Sequence, residues 1–333
     1  MKRRDFIKMS AGLGAAMATT TPLSPAFAQT KTVLKAADVH PLGYPTVEAV
    51  LGMGKKLEAA TNGRLSIQMF PSMQLGGEKE MIEQAQLGAL QIARISVGAV
   101  GPVVDDVNVF NMPFVFRNSK HMEKVIDGEI GDELLNKIST NEKTNLIALC
   151  WMNAGSRNVY NNKKPIKSMA DLKGLKIRMM GNPLFVDTMN ALGGNGVALG
   201  FDQVFSSMQT GVVDGAENNP PSFIAQNHNQ VAKYFTMTEH LIIPELVVYS
   251  RASWQKLSPE DQALIKKLSK EMQQEQRVLW YAAENAALDK MKAAGTEIIT
   301  DIDKKPFQDA VKPVWDKYGA KYAAMVKRIE AVN

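Results

Sequence analysis

From Lys31 to about Met180 the chain alternates short apolar runs with stretches of helical periodicity. "TVLKAAD" (32–38) and "LSIQMF" (65–70) read as strands, the second alternating as a half-buried strand does. Between them, "PTVEAVLGMGKKLEAATNGR" predicts a helix closed by Asn62 and Gly63. "EKEMIEQAQLGA" is a short helix, "LQIARIS" (90–96) a strand, and "HMEKVIDGEIGDELLNKIS" one helix. "NLIALCWM" (145–152) is apolar throughout, as a strand buried on both faces would be. This succession predicts an α/β fold with mostly parallel sheets and ligand crevices at the carboxyl ends of strands.

Around 153–157 the run "NAGSR" introduces small polar residues, and a second set follows: "RNVYN", "LKIRMM", "GVAL" and "VVDGAE". The chain then returns through "ELVVYSR" (245–251). No Pro/Ser-rich linker separates the sets, so two lobes joined by crossing strands are expected. Lobe one takes 29–154 and 243–283; lobe two takes 155–242 and 284–333. A long pattern begins at "LSPEDQ": Ser258 can cap, Pro259 suits the first helical position, Asp261 completes a capping box and Gly295 can stop the helix. Residues 259–294 would span roughly 54 Å at 1.5 Å per residue, longer than one lobe, as a spine crossing both. A break near 273–276 is the alternative.

Composition narrows the class. A chain of 333 residues suits two domains, and 45% apolar with 22% charged content is ordinary for a soluble globular protein. Past the N-terminus no apolar run reaches 18 residues, so no spanning helix is expected. Residues 1–28 read as an export signal of the twin-arginine type: Arg3 and Arg4, then the small-residue run "MSAGLGAAMA", then "AFA" at 26–28 as an A-x-A cleavage site. A periplasmic location follows. Lys2, Arg3, Arg4 and Lys8 against Asp5 carry +3 of the formal +5, leaving about +2 on scattered residues. That is no nucleic-acid footprint, and it mildly favours an anionic small ligand. Cys150, the one cysteine, cannot form an internal disulfide and reads as a buried small apolar residue.

Catalytic machinery is hard to find. His40, His121, His228 and His240 lack metal-ligand spacing, and neither a G-x-S-x-G elbow nor a P-loop is present. "GGNG" at 193–196 lacks dinucleotide-loop spacing and reads as a turn; no cofactor is expected. The polar groups at strand ends tell more. Arg178 ends "LKIR", Arg157 opens "RNVYN", Arg94 sits inside "LQIARIS", and Glu217, Asn218 and Asn219 follow "VVDGA". A guanidinium fits a carboxylate through two parallel N–H bonds and keeps its charge in a desolvated cleft. For any one of these arginines a surface salt bridge is the alternative. Arg94, between apolar neighbours, needs a counter-charge. Phe201 is either core or a stacking wall; His40 and Tyr44 in "VHPLGYP" are either loop ligands or turn residues.

The string "KSMADLKGLKIRMMGNPLFVDTMNALGGNGVALGFDQVFSSMQTGVVDGAENNP", with "TEHLIIPE" downstream, resembles the signature region of TRAP-transporter (tripartite ATP-independent periplasmic) substrate-binding proteins. The resemblance runs from about Lys31 to the end. It implies two α/β lobes around a hinge, a long C-terminal spine helix, and a receptor that is not an enzyme. It also implies a membrane permease of one small and one large subunit as partner. The arginine of "GLKIR" in such proteins clamps a carboxylate, which falls on Arg178; Arg157, Asn218, Phe201 and His240 also match family positions. The doubled asparagine and Arg94 resemble members that take sugar acids such as glucuronate or galacturonate. Arg178 and Arg157 would then engage the carboxylate, Asn218, Asn219 and Arg94 would meet hydroxyls or the ring oxygen, and Phe201 would supply a wall. Sialic-acid receptors carry charged groups where this chain has "SVGAVG". Pantoate, a C4-dicarboxylate, and a periplasmic α/β enzyme acting on a sugar acid remain the alternatives.

Overall fold

The computed structural model describes residues 31–333; the expected export signal at 1–28 lies outside the described residues. Among the described residues eleven strands form two sheets. In the first, β1 (Thr32–Ala37), β2 (Leu65–Phe70), β3 (Ile92–Ser96), β4 (Leu146–Met152) and β10 (Glu245–Ser250) run in the order β2-β1-β3-β10-β4. The second comprises β5 (Ser156–Asn161), β6 (Lys176–Met179), β7 (Asn195–Ala198), β8 (Gly215–Asn218), β9 (Tyr234–Ile242) and β11 (Glu297–Ile299). Its order is β11-β9-β5-β8-β6-β7. Each sheet is the floor of one lobe.

The mostly parallel expectation needs one correction, the same in both sheets. β10 lies antiparallel between β3 and β4, and β5 lies antiparallel between β8 and β9. These are the strands that have just crossed from the other lobe, so each enters its new sheet from the end opposite to its βαβ-connected neighbours. β4 leads into β5 through Asn153–Gly155 and β9 into β10 through Ile243 and Pro244. Both crossings are short.

A third connection is the helix Pro259–Ala293, 35 residues long and unbroken. Ser258 Oγ accepts from the Asp261 N–H at 3.1 Å. The Asp261 carboxylate does not complete a capping box; it takes both arms of Arg64, at 2.7 and 2.5 Å, tying the helix start to the edge of the first sheet. The glutamines that suggested a break instead pin the crossing segment. Gln273 Oε1 accepts from the Trp151 N–H (3.1 Å), while Gln276 accepts from the Asn153 N–H (2.9 Å) and donates to its carbonyl (2.8 Å). Both side chains are buried. Backbone groups at the end of a strand need partners, and here a helix side chain supplies what a neighbouring strand cannot.

Two smaller differences have local causes. The single helix expected over "HMEKVIDGEIGDELLNKIS" is two, Ser119–Asp127 and Glu129–Thr140, separated by Gly128 in extended conformation. The chain doubles back so tightly there that a Cβ on Gly131 would lie 2.1 Å from the Ile126 carbonyl oxygen. The C-terminal tail, expected with lobe two, also reaches lobe one: Arg117 donates to the Glu330 and Val332 carbonyls, and Lys321 pairs with Asp105.

Replacing Gln276 by leucine keeps the volume but strands the Asn153 N–H and C=O in the interior. An unfolding free energy lower by roughly 1–3 kcal/mol is expected in urea denaturation. An unchanged midpoint would show that the glutamine clamp contributes nothing to the crossing.

Candidate functional site

Both sheets aim strand ends at one cavity between the lobes, enclosing about 320 Å³ of empty space including its mouth. Among the expected residues, Arg94 and His40 line it from the first lobe, and Arg157, Arg178, Phe201, Asn218 and Asn219 from the second. Tyr44 does not. It stacks behind the His40 ring at 3.7 Å and bonds Ser222 Oγ at 2.8 Å. His240 is fully buried, with Nε2 3.8 Å from Glu217, and does not reach the cavity.

Arg94 is 1% exposed and heavily compensated. Nη2 lies 2.5 Å from Asp38, and Nη1 lies 2.5 Å from Glu245 and 3.2 Å from Glu78. The register explains one of these partners. β3 and β10 pair Val247 with Arg94, so Glu245, two residues along, is the diagonal neighbour on the same face. Burial works against the Arg94 charge, but the carboxylates hold its pKa well above the usual value. The expected counter-charge is therefore met three times over, and both terminal nitrogens are committed to protein.

Arg157 is also committed. Nε and Nη2 clasp the Glu217 carboxylate, Nη2 at 2.7 Å, and Nη1 donates to Asn218 Oδ1 at 3.0 Å. The antiparallel register sets Glu217 opposite Val159, diagonal to Arg157. Burial opposes its charge and Glu217 restores it, leaving the pKa raised.

Arg178 differs. It is 2% exposed, its Nε donates to the Leu199 carbonyl at 2.8 Å, and neither terminal nitrogen has a hydrogen-bond partner among the described residues. No carboxylate pairs with it among those residues. Burial and the neighbouring Arg157 lower its pKa, with Glu217 opposing. The Phe201 ring sits 5.8 Å from its guanidinium carbon. This is a desolvated, forked cation aimed into a cavity without an anion beside it. Such an arrangement binds a carboxylate or phosphate.

The two lobes also touch directly. His40 Nε2 lies 3.1 Å from Ser222 Oγ, and Asn182 Nδ2 donates to the Gly98 carbonyl at 3.2 Å. Gly98, in the "SVGAVG" stretch, is required by this approach: a Cβ there would lie 2.6 Å from both Met180 and Phe185 of the second lobe. Sequence reasoning missed Glu78, Ser96, Met180, Ser222 and Glu245, which also line the cavity. Only Glu78, an acid at a helix start after "GG", carried any signal; the others are brought in by strand pairing and lobe closure. No cluster of three metal-ligating residues exists among the described residues. Burial pushes the Cys150 thiol up to about 12, so it is inert.

The family model described as bacterial extracellular solute-binding protein, family 7, matches residues 36–321. The chain belongs to this family. Its members are solute-binding proteins of transport systems, not enzymes, and periplasmic in the relatives that carry fuller names. The fold is similar to a TRAP periplasmic solute-binding protein of Pseudomonas putida F1 solved with bound D-glucuronate. The two are 59% identical over 91% of this chain and 98% of that one, with a TM-score of 0.89. A Citrobacter koseri TRAP solute-binding protein with bound D-glucuronate is 48% identical over 91% and 100% of the two chains, also with TM-score 0.89. In its apo, open structure the TM-score falls to 0.79, at 46% identity over 90% and 98%. The lobes of this binding protein are thus arranged more as in the liganded form than in the open one.

Its buried histidines set a pH response. Burial holds His240 down at about 4 and His228 at about 3, and it also lowers His40 and His121. A histidine neutral in the fold but protonated when unfolded stabilises fully above about 6.5, and that stability is lost as pH falls toward the folded value. Burial raises Glu245 to about 7 and raises Glu284, both of which act in the opposite sense. The depressed histidines outnumber the raised glutamates, so unfolding takes up protons on balance in this range. The melting temperature is expected to fall steadily from pH 7 to pH 5; a flat profile would contradict the neutral assignment.

Proposed function

We propose that this protein is the periplasmic receptor for a hexuronate, with D-glucuronate the leading candidate, and hands it to a TRAP permease with one small and one large membrane subunit. One observation carries the reading: Arg178 is a buried guanidinium whose two terminal nitrogens face the cavity unpaired. The D-glucuronate bound by the similar proteins from Pseudomonas putida and Citrobacter koseri supports the same class of ligand.

In this reading the ligand carboxylate docks on the Arg178 fork. Arg157 contributes less directly, since Glu217 occupies its fork and only the remaining hydrogen on Nη1 is available. Its main work is to hold Asn218. Asn219 caps its own helix by accepting from the Ser222 N–H at 2.8 Å, so its amide nitrogen is the group left for a ligand hydroxyl. Phe201 walls one face. A ligand that also meets the first-lobe groups lining the cavity, His40 and Ser96 among them, favours closure; moving the open:closed ratio from 99:1 to 1:99 takes about 5.5 kcal/mol of differential affinity. The Arg178 bonds form in either state, so that difference comes from contacts with the first-lobe groups that line the cavity. Arg94 keeps both terminal nitrogens on protein carboxylates, so a direct ligand contact falls to its Nε, which has no partner among the described residues.

Arg178→Ala is expected to weaken D-glucuronate and D-galacturonate binding by at least about a hundredfold in calorimetry, the loss of two charge-assisted bonds. Arg178→Lys should fail as well, because a point charge cannot replace the fork. Wild-type affinity in Arg178→Ala would remove the clamp; no heat from either uronate with the wild type would remove the ligand class.

A further inference from the structure

Resting on that reading of the cleft, we propose that Glu78 and Glu245 form its specificity wall, taking hydroxyls and rejecting a second carboxylate, so that the receptor selects polyhydroxy mono-acids against diacids. The cavity is electrically two-ended. On the second lobe the net charge is positive, because Arg157 is cancelled by Glu217 while Arg178 is not. On the first lobe one guanidinium, Arg94, faces three carboxylates. Asp38 lies behind the wall with both oxygens engaged: Oδ1 by Arg94 and the His40 backbone, Oδ2 by Thr46 Oγ1.

The other two are only half used. Glu78 Oε1 takes Arg94 at 3.2 Å and the Ser96 N–H at 2.8 Å, while its Oε2 accepts from no described residue. Glu245 Oε2 takes Arg94, while its Oε1 accepts from no described residue. Both side chains line the cavity. Arg94 thus acts as a positioning residue, holding two carboxylates so that each presents one free acceptor oxygen to the ligand. A hydroxyl donates to such an oxygen. An ionised carboxylate has no hydrogen to give and finds acidic oxygens, not a free cation, at this end of the cavity. Specificity built this way works by rejection as much as by attraction.

The test compares four probes by calorimetry: D-glucuronate, D-galacturonate, and the open-chain pair D-gluconate and D-glucarate, which differ only in a terminal hydroxyl against a carboxylate. For the wild type, glucarate is expected to bind at least about a hundredfold more weakly than the better uronate, and more weakly than gluconate. Glu78→Gln keeps an acceptor for Arg94 and Ser96 and leaves Asp38 and Glu245 to balance the guanidinium, so it should fold. It is expected to tighten glucarate and weaken uronate, narrowing the gap at least about tenfold. Glu245→Gln is the second variant, its folding checked by melting temperature. Wild-type glucarate affinity within about threefold of uronate, or a gap unchanged in both folded variants, would overturn the wall. If neither uronate binds yet gluconate is preferred over glucarate, the hexuronate reading fails and the wall stands. No binding of any probe overturns both.

Discussion

Three arginines with almost no solvent exposure converge on one small cavity, and the fold neutralises two of them. A guanidinium taken out of water without an anion is costly by several kcal/mol. Most of the polar architecture around the cavity can be understood as meeting that cost for Arg94 and Arg157 while leaving it unmet for Arg178. Asp38, Glu78 and Glu245 surround the first, Glu217 clasps the second, and a lone carbonyl steadies the third. The residual charge is retained as affinity for an anionic guest.

Each of these pairings lies within one lobe, but the cavity they share exists only when the lobes are together. Arg94 and Arg178 come from different sheets, and the chain passes between them through two short crossings and one helix. The spine helix is more than a strut. Gln273 and Gln276 complete the hydrogen bonding of β4 where it leaves its sheet, fixing the direction from which the second lobe is reached. Gly98 then admits Met180 and Phe185 at the cavity rim. Polar contacts through Ser222 and Asn182 add protein-to-protein bonds across the same seam. Closure therefore has a foundation in the protein itself, and ligand contacts add to it.

Of the four histidines only His40 lines the cavity. His228 and His240 are buried neutral, the first bonded to Tyr160 at 2.7 Å and the second to Thr238 at 2.8 Å. The groups that face the cavity are hydrogen-bond donors and acceptors held in place by the protein, which suits reversible binding.

The sequence by itself determined the α/β class, the two strand–helix sets, the long terminal helix and the arginine at the end of "LKIR". Each of these follows from periodicity, capping residues and side-chain chemistry, which are local. It also marked Arg94 as a charge in need of a partner without being able to name one. Tertiary structure decided the partners. Glu245 reaches Arg94 from 151 residues away because β10 returns antiparallel beside β3. Glu217 reaches Arg157 by the same diagonal pairing in the other sheet. It also decided that Tyr44 stands behind His40, that 273–276 clamps instead of breaking, and that Arg178 alone keeps its fork free. Charge compensation depends on which strands become neighbours, and strand order is fixed by the packing of the whole chain, not by any window along it.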